Sequence, residues 1–166
     1  MGKSVQIGNY APNFIGMATY KDKIGPIHLH DCLGKKNVVL IFYPFNFISF
    51  AADELWRVNF CVDDFRSLDT QIFAISIENI FSQLHFTKIL KRRKKIKYFT
   101  YPLISDSNHK ISKIYKTLTQ EGFSLPCIFI IDKFGVVQYH TIYNMACRIN
   151  IKEIYKILKL LQHSKK

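Results

Sequence analysis

The chain has 166 residues, enough for one substantial hydrophobic core and short for two. Apolar types make up 48% of it, which excludes a charge-dominated disordered polymer, and 24 Lys and Arg against 12 Asp and Glu leave a formal net charge of +12. That excess attracts nucleic acid, anionic membrane or acidic protein, but it says nothing about the fold.

No repeat, low-complexity stretch or linker interrupts the chain, so one domain is the economical reading. Residues 38–43 (VVLIFY) form an unbroken β-prone run between a turn-like GKKN and Pro44, which predicts a strand buried on both faces. From Asp53 the spacing of Leu55, Val58, Val62 and Phe65 predicts a helix, with Asp53 and Glu54 in its first turn, where acids suit the dipole. Residues 71–77 (QIFAISI) predict the next buried strand, and Asn79 is positioned to cap a helix carrying Leu84, Ile89 and Leu90. A basic run follows, then a short extended piece at residues 101–104 and a helix carrying Ile111, Ile114, Tyr115 and Leu118. CIFII at 127–131, the turn DKFG and VVQYHTI at 136–142 predict a hairpin, with Gly135 supplying the positive φ. A last helix is predicted from Asn150 as N-cap, Glu153 as its box-like partner and the stripe Ile151, Ile154, Ile157, Leu158 and Leu161. This order predicts an α/β unit of three layers around a central mixed sheet.

No apolar run approaches the roughly 20 residues that span a bilayer, and MGKSVQIGNY lacks the apolar core of a secretory signal. The Met-Gly start has Gln6 where a myristoylation pattern needs Ser or Thr. Cys32, Cys61, Cys127 and Cys147 are far apart with no CxxC pair. That spacing points away from a zinc site or thioredoxin-type motif and toward free thiols in a reducing compartment. His28, His30 and Cys32 are the one grouping with a conceivable metal use, and no cofactor or metal is expected. Trp56 and Phe60 fall outside the stripe of their helix and read as a second core layer or an apolar subunit-facing patch.

Seven of the ten residues 88–97 are basic: Lys88, Lys91, Arg92, Arg93, Lys94, Lys95 and Lys97. One reading is a patch for nucleic-acid phosphate or anionic membrane, with Tyr98, Phe99 and Tyr101 available for base stacking. The plainer reading, a solvated loop with Tyr98 and Phe99 returning the chain to the core, is the expectation, because no nucleic-acid-binding signature accompanies the charge.

FYPFNFISFAADEL at residues 42–55 resembles the F-Y-P-L-D-F-T-F-V-C-P-T-E pattern of typical two-cysteine peroxiredoxins. NYAPNF, FSQLHF (81–86), YPLISD (101–106), GFSLPCIFIIDKFGVV (122–137) and TIYN (141–144) agree in register, so the resemblance covers residues 5–161. YPLISD and VVQYHTIYN are most similar to plastid-encoded algal members. The resemblance implies a thioredoxin-like domain over 5–161 with a short basic tail at 162–166. It also implies thiol-specific reduction of hydrogen peroxide and organic hydroperoxides by a thioredoxin-like reductant, and a plastid location, with cytoplasm as the alternative. A homodimer through the edge strand from Val136 to Ile142 is expected as well; VVQYHTI contains no Pro or Lys to prevent it.

In the family, a Cys at the first turn of a helix attacks the peroxide O–O bond as thiolate, its pKa lowered by the helix N-terminus and a nearby cation. Carried over by position, the nucleophile is Ala51, seven residues after Pro44. The peroxide-orienting Thr is Ile48, the Pro after the Cys is Ala52, and the Arg is Pro126. Only Pro44 and Glu54 remain of the site. The chain is also expected to stop, at Lys166, before the arm that carries the resolving Cys. Cys127, beside the lost Arg position, is the weak surrogate candidate. Cys61, ten residues beyond Ala51, lies about 15 Å further along a helix, too far for in-line attack. Two readings follow: the peroxidase of the lineage, or an inactive protein acting as a dimeric scaffold or through its basic run.

Overall fold

The computed structural model describes residues 5–46, 49–144 and 148–164. A hairpin that the sequence pattern does not announce comes first, β1 (Ile15–Tyr20) and β2 (Lys23–His28). Its two turn residues, Lys21 and Asp22, both have positive φ (49° and 63°). This is the turn that matches strand twist, built here without the usual Asn-Gly or Asp-Gly. Pro26 is tolerated because β2 is an edge strand.

Next come β3 (Asn37–Phe42), α1 (Ser49–Phe60), α2 (Val62–Arg66) and β4 (Thr70–Ser76). All six residues of β3 are buried, as its unbroken apolar run requires. The helix expected from Asp53 starts earlier, at Ser49, and is interrupted at Cys61, whose N–H turns back to the Val58 carbonyl at 3.0 Å. Leu55, Val58, Val62 and Phe65 are nevertheless all buried, so the apolar spacing survives the break.

α3 (Ile80–Lys94) is capped by Asn79, whose Oδ1 accepts from Ser82 N at 2.9 Å. The helix runs through most of the basic stretch and ends at Lys95 in the left-handed region, φ 53°. The solvated loop expected there is corrected to a helix end. Lys and Arg are good helix formers, and cations at a helix C-terminus oppose its negative dipole end.

After β5 (Leu103–Ser105), α4 (Lys110–Ile114) is a short helix held by Asp106. That carboxylate accepts from Ile111 N and Ser112 N at 2.8 Å each and from the Ser112 hydroxyl. Leu118, expected on this helix, lies beyond it, after Lys116 takes positive φ. β6 (Cys127–Ile131) and β7 (Val137–Ile142) form the expected hairpin, with Gly135 at φ 86°. α5 (Ile151–His163) starts at Asn150, which accepts from Glu153 N at 3.1 Å.

The strands form one sheet in the order β2-β1-β5-β4-β3-β6-β7, with β3, β4 and β5 parallel and the other pairs antiparallel. Side-chain alternation divides the core in two. Val39, Ile41, Ile72, Ala74, Ile128 and Ile130 pack beneath α1, α2, α3 and α5. Val38, Leu40, Phe42, Phe73, Cys127, Phe129 and Ile131 face α4 and the segment around Phe14 and Leu29. Two covered faces and a mixed sheet make this the three-layer thioredoxin-like α/β fold that the element order predicts.

Candidate active site

The chain leaves β3 through buried Tyr43 and Pro44 and enters α1 at Ser49; residues 47 and 48, and with them Ile48, the expected counterpart of the family's Thr, lie outside the described ones. Ala51 falls in the first turn of α1 and is 4% exposed, its methyl group packed in the cluster of Tyr43, Leu55 and Ile128. Glu54, one turn on, is also buried. Arg57 Nη1 donates to Glu54 Oε1 at 2.8 Å and Oε2 at 2.7 Å, and Ile149 N donates to Oε2 at 2.8 Å. Glu54 therefore ties α1 to the approach of α5, and the Arg57 guanidinium is already engaged.

Three tyrosines, which the sequence pattern does not single out, surround this end of the sheet. Tyr43 Oη donates to Asn46 Oδ1 at 2.7 Å, Tyr101 Oη to the Leu55 carbonyl at 2.8 Å, and Tyr143 Oη to the Phe42 carbonyl at 3.2 Å. Asn46 is fully buried and its Nδ2 has no hydrogen-bond partner among the described residues. Burial pushes all three phenols up, with Cys127, Glu54 and Tyr43 adding to the rise at Tyr143. Burial likewise raises Tyr115 on the opposite face.

A phenol whose folded pKa exceeds its unfolded value contributes stability that is present below about pH 10 and lost as pH rises further. In an alkaline titration followed at 295 nm, Tyr43, Tyr101, Tyr115 and Tyr143 are expected to stay protonated while exposed tyrosines ionise. They should then titrate together with loss of the fold. A smooth titration of all nine tyrosines with the circular dichroism intact contradicts this packing.

Pro126 is half-buried, and its carbonyl accepts from Tyr143 N at 2.9 Å, extending the hairpin ladder by one step. Parity then separates it from its neighbour. Ile128 and Ile130 face the cluster that contains Ala51, whereas Cys127, Phe129 and Ile131 face the other. Position 126 thus belongs to the Ala51 side, and the Cys127 thiol turns away, packed with Phe42 and Tyr115. The expectation that Cys127 lies beside the pocket is corrected by this alternation. Burial raises the pKa of Cys127, and burial raises Cys61 and Cys32 as well, with Asp64 and Asp31 adding to each.

Cys61 occupies the α1–α2 break and lines a cleft of about 440 Å³ with Phe65, Ile151 and Tyr155. Cys147 lies outside the described residues. His28 ends β2 while His30 and Cys32 sit in the following single turn. Among the described residues, no three His, Cys, Asp or Glu side chains come together as a metal site.

The aromatics after the basic run are not available for base stacking. Phe99 and Tyr101 are buried, and Lys91 and Lys97 lie over the Tyr98 ring at 5.1 and 5.4 Å. Phe60 is 82% exposed, so it is not a second core layer, whereas Trp56 is half-buried with Lys94 over its ring at 5.7 Å. No helix among the described residues is long and apolar enough to cross a membrane.

β7 is an edge strand, but its first residues are already covered. Gly8 N donates to the Val137 carbonyl at 2.8 Å, Val137 N to Asn9 O at 2.9 Å, and Tyr10 bridges to Val136. Among the described residues, nothing pairs with the outer side of β7 at 138–142.

This geometry places a helix N-terminal turn against the sheet end, next to a family-type FYP segment. The profile of the AhpC/TSA family matches residues 7–140. The chain belongs to the AhpC/TSA family. This AhpC/TSA chain is 41% identical over 160 residues to the ycf42 protein of Trieres chinensis, which bears a peroxiredoxin name, covering 96% of this chain and 78% of that one. It is 34% identical over 161 residues to the chloroplastic 2-cysteine peroxiredoxin of Chattonella marina var. antiqua, covering 97% and 83%. The reduced 2-Cys peroxiredoxin of Plasmodium vivax superposes with a TM-score of 0.88 at 29% identity, covering 95% of this chain and 82% of the other.

Proposed function

We propose that this AhpC/TSA member is a homodimeric, peroxiredoxin-fold scaffold that does not turn over peroxide. One observation carries the reading: position 51, where the family's mechanism needs a thiolate, is an alanine methyl 4% exposed in an apolar cluster. A methyl group cannot form a sulfenic acid, and each later step of the lineage's cycle depends on that species. The branched hydrocarbon of Ile48 and the ring of Pro126 replace the hydroxyl and the cation, so neither the orientation of peroxide nor the activation of a thiol is supplied. Cys127 is no substitute, since it faces the other side of the sheet with its pKa raised by burial.

The test is steady-state hydrogen peroxide consumption by purified protein with a thioredoxin system. No turnover above the protein-free control is expected. Robust turnover, abolished by Cys127→Ala, overturns the proposal.

The open edge of β7 at residues 138–142 supports pairing with its twofold mate, centred on His140, whose ring stacks on Phe129 at 5.5 Å. Exposed Ile142 gives that contact an apolar end. Sedimentation velocity at micromolar concentration is expected to show twice the chain mass; a monomer there removes the scaffold reading. A plastid location is supported by the chloroplastic relative.

A further inference from the structure

We propose that the basic end of α3 is a docking surface for anionic phospholipid, with Phe60 as its apolar anchor. The charge is concentrated. Residues 88–97 hold seven of the 24 basic residues and no acid, while the remaining 17 are set against all 12 acidic ones. More than half of the net +12 therefore sits on ten positions.

The fold uses only part of it. A helix C-terminus presents about half a negative charge. Lys91 has Asp22 as its ion-pair partner, and Lys94 has Asp53 at 3.8 Å. Lys88, Arg92, Arg93, Lys95 and Lys97 are exposed, with no acidic partner among the described residues. Folding needs far less positive charge than this helix end displays.

The shape selects the partner. The buried side of α3 is Gln83, Phe86, Thr87 and Leu90. At roughly 100° per residue, Lys88 and Arg92 lie opposite that side, with Lys91 and Arg93 on its two flanks. The result is a cationic helix end whose own following aromatics, Phe99 and Tyr101, are buried. Beside it runs one stripe of α1, Asp53, Trp56 and Phe60, at spacings of three and four. Lys94 touches both Asp53 and the Trp56 ring. The chain after Lys97 returns along that helix to Thr100, whose N–H and hydroxyl both donate to Asn59 Oδ1 at 2.7 Å. Phe60, next to Asn59 and 82% exposed, therefore projects at the rim of the cationic helix end. A nucleic-acid duplex, its bases stacked inside, pairs with the cations and leaves that ring in water. A bilayer interface accommodates both, headgroup phosphate for the cations and the acyl boundary for the ring.

The experiment is co-sedimentation of the full chain with vesicles of phosphatidylcholine containing about one-third phosphatidylserine, against pure phosphatidylcholine, over a salt series. Binding to the anionic vesicles alone, weakening with salt, is expected. Each basic side chain near an anionic leaflet contributes roughly fivefold, so combined Lys88→Ala, Arg92→Ala and Lys95→Ala should weaken partitioning roughly a hundredfold. Phe60→Ser should weaken vesicle binding with the salt dependence unchanged, and leave binding to heparin unaltered. All four positions are exposed, and an unchanged circular dichroism spectrum secures the comparison. Three results overturn the proposal: no sedimentation with anionic vesicles, equal vesicle binding by Phe60→Ser and the parent, or displacement from vesicles by duplex DNA or RNA at stoichiometric amounts.

Discussion

Ala51→Cys is expected to give a protein oxidised once by hydrogen peroxide, no faster than an ordinary free thiol, while the parent consumes none at this site. The step is displacement: the thiolate sulfur bonds to one peroxide oxygen, the O–O bond breaks, and hydroxide leaves, giving sulfenic acid. A sulfur in the first turn of α1 gains the helix N-terminus, which favours thiolate. Against that, the site is apolar and 4% exposed, which favours the neutral thiol. The guanidinium of Arg57 is committed to Glu54 through both carboxylate oxygens. Adding Ile48→Thr and Pro126→Arg supplies the hydroxyl and the cation that the family pattern carries at these positions, the cation on the Ala51 side of the sheet by the parity of β6. One such donor to a developing anion contributes on the order of a hundredfold, so the triple variant should react at least that much faster than Ala51→Cys alone. Stopped-flow fluorescence with a sulfenic-acid trap measures both. A fast Ala51→Cys variant, or a triple variant no faster than the single, contradicts the proposed roles of positions 48, 51 and 126.

Arg57→Ala is expected to cost about 3 kcal/mol of stability, the low end for breaking a buried ion pair because the Arg57 side chain is one-third exposed. The loss comes from stranding the Glu54 carboxylate, which is almost wholly inside the protein. Glu54→Gln should cost less, about 1–3 kcal/mol, since an amide oxygen can still accept from Ile149 N. In the double variant no buried charge is stranded, so the loss should fall short of the sum. Urea denaturation of the three proteins gives the comparison, and strict additivity contradicts the paired geometry. The carboxylate also has a structural use: its Oε2 accepts from Ile149 N and holds the approach of α5 onto α1.

The fold was largely legible because its signals are short-range. The unbroken apolar run of β3, the Gly135 turn of the β6–β7 hairpin and the Asn150 cap of α5 each depend on residues within one or two turns of chain. Family membership was legible for the same reason, through blocks such as FYPFNF and GFSLPCIFIID. The β1–β2 hairpin was not, because Lys21-Asp22 carries no preference for positive φ strong enough to mark a turn. The helical state of the basic run was hidden by its charge, which suits a helix end as well as a loop.

At the candidate site the division is sharper. That residues 51, 48 and 126 are Ala, Ile and Pro is a matter of residue identity, and the seven basic residues at 88–97, more than half of the net +12, are equally plain from the sequence. The tertiary structure decided which face each group meets. It turned Cys127 away from Ala51 by the two-residue period of a strand, bound Arg57 to Glu54, covered the first part of β7 with residues 8–10, and brought exposed Phe60 to the rim of the basic helix end. Side-chain identity fixes what chemistry is possible at a position. Pairing and packing between distant segments determine which positions meet, and no local pattern contains that information.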